Sequence, residues 1–170
     1  MYDAWEREYS TIPPIARKMT AIDYALINER TSQKGRCNAT ALRKAMRKIS
    51  LHYDAYLAPS GLKVTQVSIL VAIERASSPT MGELADELVL CRSALTHNLR
   101  PLERDGMVSV QPDPNNRRTR IVRLTSKGLK KLQDSIAYWQ IAQDRFESAF
   151  GKRKAAALRA VLNEVHSIDF

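Results

Sequence analysis

The chain has few cysteines, glycines and prolines, and it has no long apolar run. Two cysteines in 170 residues, Cys37 and Cys91, exclude a disulfide framework and give zinc too few thiolate ligands. Three scattered histidines (His52, His97, His166) and the absence of a glycine-rich phosphate loop leave catalysis without a constellation to work from. The expectation is therefore no metal, no cofactor and no enzyme. Six glycines and seven prolines permit few turns and favour helices. No apolar stretch approaches the roughly 20 residues that cross a bilayer, and residues 1–10 lack the apolar core of a signal peptide. A soluble, cytoplasmic protein with no membrane partner is expected.

What the chain does have is positive charge, unevenly placed. Against 18 Asp and Glu stand 27 Lys and Arg, a formal excess of nine. Most of that excess lies between Cys91 and Lys131, where ten basic residues face only Glu103, Asp105 and Asp113. Charge concentrated in this way is a footprint for a polyanion. The apolar fraction of 44% suffices for a packed core, and the length fits one domain with an extension.

Residues 1–36 read as that extension, in which Pro13 and Pro14 open a helix over 15–29. From Ala39 to Leu57 apolar residues recur at three- and four-residue steps, which predicts a helix stopped by Pro59 and Gly61. A second helix is expected over 65–76. Thr80-Met81-Gly82-Glu83 matches a capping box, opening a short helix to about Leu88. Another helix follows from Arg92 to Arg104, with Pro101 expected to kink it. Ala85, Leu90 and Leu95 stand at helix-turn-helix spacing, with Val89 at the turn where glycine is frequent.

Strand-like runs at 107–111 and 119–124 flank a loop of turn formers. The predicted fold is thus mainly α, an α+β winged helix-turn-helix with a two-stranded hairpin as its wing. Thr125 caps a long helix in which Leu129, Leu132, Ile136, Trp139, Gln143, Phe146 and Phe150 make a coiled-coil-like seam. Gly151 breaks it before a last amphipathic helix. The expected domain covers 37–168, with a DNA-binding core at about 62–124 and dimerisation helices at about 39–57 and 126–168.

Leu95, Leu99 and Leu102 mark the inward stripe of the second motif helix. The opposite face then carries Ser93, Thr96, His97 and Arg100, with Arg92 at its start. Short hydroxyls, an imidazole and guanidinium groups on one helix face suit base edges in a major groove. Arg117 and Arg118 at the loop tip suit a minor groove, and Arg120 and Arg123 suit phosphates. Asp113 is expected to hold the loop, either by accepting backbone amides or by pairing with Arg117.

Leu-Lys-Val-Thr-Gln-Val (62–67), Leu-Ala-Asp-Glu-Leu (84–88) and Leu-Thr-His-Asn-Leu-Arg-Pro-Leu-Glu-Arg-Asp-Gly-Met-Val (95–108) stand in a specific order. They are followed by Asp-Pro-Asn-Asn-Arg-Arg (113–118) and Val-Arg-Leu-Thr-Ser-Lys-Gly (122–128). Together they resemble the MarR family of bacterial transcription regulators. The resemblance implies a homodimer that binds double-stranded DNA at a pseudo-palindromic operator, represses a neighbouring gene and lets go when a small, often aromatic effector binds. It implies a ligand cleft between dimer helices and DNA-binding unit, for which His52, Tyr53, Tyr56 and Trp139 are the candidates. Two positions depart from the family pattern, Asn116 where Asp is common and His97 where Arg is often found. Some members sense peroxides through a cysteine early in the first helix. Cys37 stands two residues before that place, and Cys91 stands at the start of the recognition helix. A non-specific architectural DNA-binding protein and a cysteine-based redox-responsive regulator are the alternatives.

Overall fold

A computed structural model describes residues 37–116 and 118–169. The expected extension at 1–36, its helix and Arg117 lie outside the described residues. By backbone contacts the chain divides into Met1–Lys44 and Ala45–Phe170; the first unit is described only from Cys37, where a helix begins.

Six α-helices and one hairpin are found among the described residues: α1 Asn38–Leu57, α2 Val64–Ala76, α3 Met81–Glu87, α4 Arg92–Arg104, β1 Val108–Pro112, β2 Arg120–Leu124, α5 Ser126–Phe150 and α6 Lys152–His166. The predicted order is found with bounds shifted by a residue or two. No single described helix is long and apolar enough to cross a membrane.

The core sits where α2, α3, α4 and the hairpin meet. Leu70, Ile73, Leu84, Leu95, Leu102 and Val122 are all buried there. Asp54 on α1 accepts the first amide of α2, Val64 N, at 2.7 Å. This supplies one of the partners a helix start lacks. The capping box at α3 forms as its sequence requires: Glu83 N donates to Thr80 Oγ1 (3.2 Å) and Thr80 N donates to Glu83 Oε2 (2.8 Å). Those bonds, the one from the Thr80 amide first, hold the Glu83 carboxyl below its ordinary range.

The two helices of the motif end alike. After α3, Leu90 N donates to Ala85 O and Val89 N to Asp86 O; after α4, Met107 N donates to Leu102 O and Gly106 N to Glu103 O. Both are Schellman stops, which need a left-handed residue just past the cap. Gly106 takes that conformation at φ +70°, and Val89 takes it at φ +52°. The missing turn glycine therefore leaves the backbone path unchanged, and the β-branched valine adopts a conformation it disfavours. Pro101 lies inside α4, which continues past it to Arg104.

β1 and β2 pair antiparallel, from Val108 opposite Leu124 to Pro112 opposite Arg120. The far edge of β2 is also tied down, because Val122 N donates to Pro79 O at 2.8 Å and Thr80 bridges to Ile121. The wing is thereby fixed to the residues that open α3.

The long helix α5 covers only part of the expected seam within a single chain. Its buried line is Gly128, Leu132, Ser135 and Ala142, so three of four are small residues at seven-residue spacing. Ile136, Trp139 and Phe150 are exposed, and Leu129, Gln143 and Phe146 are half-buried. Small residues let α5 come close to its neighbours. A Cβ on Gly128 would lie 1.9 Å from the Met107 carbonyl oxygen. Thr125 caps the helix by accepting from Gly128 N (3.0 Å) while donating to Gly106 O (2.7 Å).

Candidate nucleic-acid interface

Helix α4 separates its faces cleanly. Leu95, Leu99 and Leu102 are buried. Arg92, Ser93, Thr96, His97 and Arg100 are exposed and together line a shallow concavity of about 390 Å³. All five residues predicted for this face are therefore brought together. Thr96 is partly committed, since its hydroxyl donates to Arg92 O at 2.8 Å and only its lone pairs stay open to a ligand. Arg92 lies beside the first turn of α3, its Nη2 3.7 Å from where a Cβ on Gly82 would stand.

The wing tip is organised by its Asx residues. Asp113 Oδ1 accepts from Asn115 N at 2.9 Å and Asn116 Oδ1 accepts from Arg118 N at 3.2 Å. The loop closes on Asp113 N to Thr119 O (2.9 Å) and Thr119 N to Asn116 O (2.8 Å). Of the two roles expected for Asp113, the amide-accepting one is seen. Asn116 performs the same local task through its amide oxygen, so the departure from Asp leaves this turn intact. Arg118 and Arg120 are exposed. Arg123 is also exposed, but its Nε donates to Ser78 Oγ at 3.1 Å, which joins β2 to the turn before α3. The sequence reading missed Ser78. Its serine-serine-proline context signals a turn, and only the fold brings it to the wing.

Cys91 is the residue before α4 and its Sγ lies 3.2 Å from Ser93 Oγ. That hydroxyl first, and then the Ala94 amide, hold the thiol below its usual range. Cys37 is likewise exposed, its thiol lowered mainly by the Thr40 hydroxyl.

The four residues assigned to a ligand cleft separate into two places. Tyr53 is buried and its hydroxyl donates to Gln143 Oε1; burial pushes its phenol up. His52 meets the Ala142 carbonyl oxygen through Nε2 at 2.9 Å and packs edge-on to Tyr53 and Tyr56. His52 and Tyr53 thereby join α1 to α5, and Tyr56 stands against His52 on α1. Trp139 instead lines an apolar groove of about 540 Å³ between α2 and α5, with Val67, Val71, Leu132 and Ile136, and with Arg75 and Glu87 as its charged members. Sequence periodicity places Val67 and Leu132 on inward stripes but carries no sign that two such stripes leave a gap.

A helix-turn-helix, a hairpin wing tied to its first helix and a cationic outer face define the winged helix-turn-helix class of DNA-binding proteins. The profile of the MarR family matches residues 62–119. BadR of Rhodopseudomonas palustris, described as a transcriptional activatory protein, is 33% identical over 96 residues, 54% of this chain and 51% of BadR. The chain spans about half to two thirds of the length of the curated relatives it matches. The Mycobacterium tuberculosis transcriptional regulator MosR, solved in complex with DNA, is 32% identical with a TM-score of 0.64, covering 78% of this chain and 99% of that one. A mutant of Escherichia coli MarR complexed with operator DNA is 25% identical with a TM-score of 0.70, covering 82% and 97%. The chain belongs to the MarR family of transcription regulators, DNA-binding proteins of the winged helix-turn-helix class.

Proposed function

We propose that the chain acts as a homodimeric repressor that binds a pseudo-palindromic operator and releases it when a small apolar or aromatic effector fills the groove beside Trp139. One observation carries the DNA-binding part: Arg92, Ser93, Thr96, His97 and Arg100 form a single outward face on α4, backed by a fully apolar stripe. In this reading Ser93, Thr96, His97 and Arg100 meet base edges, and Arg92 a phosphate. Arg117 and Arg118 enter the adjacent minor groove, and Arg120 and Arg123 hold the backbone. The DNA-bound states of MosR and MarR support the same use of the fold here. The apolar lining of the groove supports the effector part, because water gains by leaving such a surface. His52 and Tyr53 then act at one remove, by fixing α5 against α1, with Tyr56 packed on His52.

The test is binding to a duplex from upstream of the protein's own gene, competed with a scrambled duplex of equal length. The repressor reading expects strong preference for the upstream duplex and an affinity that falls steeply with salt, through release of counterions. Equal competition by both duplexes sinks it and marks the architectural alternative. A reporter fused to the same upstream region then gives the sign of regulation, which matters because BadR is described as an activatory protein.

A further inference from the structure

The turn before α3 is unusual in its backbone and in what it holds. Ser77 and Ser78 both have positive φ, at +58° and +119°, a region that glycine enters at less cost than serine. Non-glycine residues stay there only where the surrounding structure imposes it, and such strain gathers at functional sites. The next residue ties the turn to the wing, since Pro79 O accepts from Val122 N at 2.8 Å. What serine supplies at 78 and glycine lacks is a hydroxyl. Its Oγ accepts from Arg123 Nε at 3.1 Å. Among the described arginines assigned to DNA (Arg92, Arg100, Arg118, Arg120 and Arg123), Arg123 is the one whose side chain has a hydrogen-bond partner.

We propose that Ser78 is a positioning residue for DNA binding, which aims the Arg123 guanidinium at a backbone phosphate. This rests on the phosphate role given to Arg123 above. With Nε engaged by Ser78, the N–H donors of both terminal nitrogens stay free, and that planar fork matches a pair of phosphate oxygens. Arg123 is exposed, so an untethered side chain would lose rotamer freedom on meeting DNA. Here part of that ordering is already done in the free protein, and affinity gains by it. The acceptor is also neutral. A carboxylate would hold the guanidinium equally well but cancel its charge, whereas a hydroxyl leaves the full charge for the phosphate. No described carboxylate pairs with Arg123.

The experiment compares the wild type, Ser78→Ala, Arg123→Ala and the double variant on a duplex that the wild type selects from a random pool. Affinity is measured against salt, and phosphate contacts are mapped by ethylation interference. Ser78→Ala is expected to bind about fivefold more weakly per half-site, the effect of one hydrogen bond. Its salt slope stays unchanged, because no charge is lost. Arg123→Ala lowers the slope by about 0.9 per half-site and abolishes interference at one phosphate in each. Ser78→Ala weakens interference at that same phosphate and at no other, and it adds nothing to Arg123→Ala. A Ser78 that only braces the wing would instead weaken interference across every wing contact, and that result overturns the proposal. So does an Arg123→Ala protein with wild-type affinity and slope. On a scrambled duplex at low salt, where phosphates alone are read, the same loss in Ser78→Ala is expected. Its absence there overturns the proposal even if the selected duplex is preferred, whereas a loss on both duplexes with no preference between them sinks only the repressor reading.

Discussion

At the scale of residues, backbone conformation and side-chain identity disagree in one place. Val89 and Gly106 occupy the same position in two Schellman stops, and both are left-handed. A β-branched residue held there costs about 1–3 kcal/mol, while glycine loses about 0.5–1 kcal/mol more chain entropy on folding. Val89 is 70% exposed, so little packing is lost on its removal. Val89→Gly is therefore expected to stabilise the protein by about 1 kcal/mol, seen as a rise in urea midpoint at unchanged slope; a fall in midpoint would contradict the strain. Gly128 is the opposite case, where the side chain is excluded by a neighbour. Gly128→Ala drives a methyl into the Met107 carbonyl and is expected to cost about 1–3 kcal/mol, measured the same way. Motif spacing placed Val89 at the turn, but its strain and the close approach at Gly128 were not legible in sequence. Valine argues against a left-handed turn by propensity, and a glycine in a helix gives no sign of what approaches it.

At the scale of elements, legibility followed the kind of signal. Caps were readable, because Thr80 with Glu83 and Thr125 with its helix are side-chain codes for local hydrogen bonds. The faces of α4 were readable, because leucines at 95, 99 and 102 share one stripe. The line that α5 buries within a single chain was not legible, because its small residues carry no hydrophobic signal. Gly128, Ser135 and Ala142 carry the close packing, and Ile136 and Trp139 face the groove. The capping box makes a prediction with a definite sign. The Glu83 carboxyl is held below its ordinary range by Thr80, so its contribution to stability is present above the unfolded-state value of about 4.3 and is lost as pH falls through the lower folded-state value. Thermal melts of Glu83→Gln against the wild type should differ above that window and converge below it. A gap that persists under acid would show that the carboxylate is not the source.

At the scale of the whole molecule, the described chain leaves apolar surface unpartnered. Along α6 and just beyond it, Val161, Leu162, Val165 and Ile168 are all exposed, and their spacing draws one stripe. A stripe of this kind is the sort of surface a second copy covers. If the proposed homodimer uses it, Val165→Asp places an unpaired charge in the interface and yields monomers by light scattering at concentrations where the wild type is dimeric. A Val165→Asp protein that keeps the dimer mass would exclude α6 from the interface. Dimerisation also decides what the α4 face can do, since one winged motif reads a half-site and two related by symmetry read a palindrome. The central claim is thus geometric, and hydroxyl-radical footprinting on the selected duplex tests it most directly. The account predicts two symmetric protected patches centred about one helical turn (roughly 10 base pairs) apart, each with minor-groove protection beside it from the wing. Uniform protection along the duplex with no centre of symmetry would contradict it.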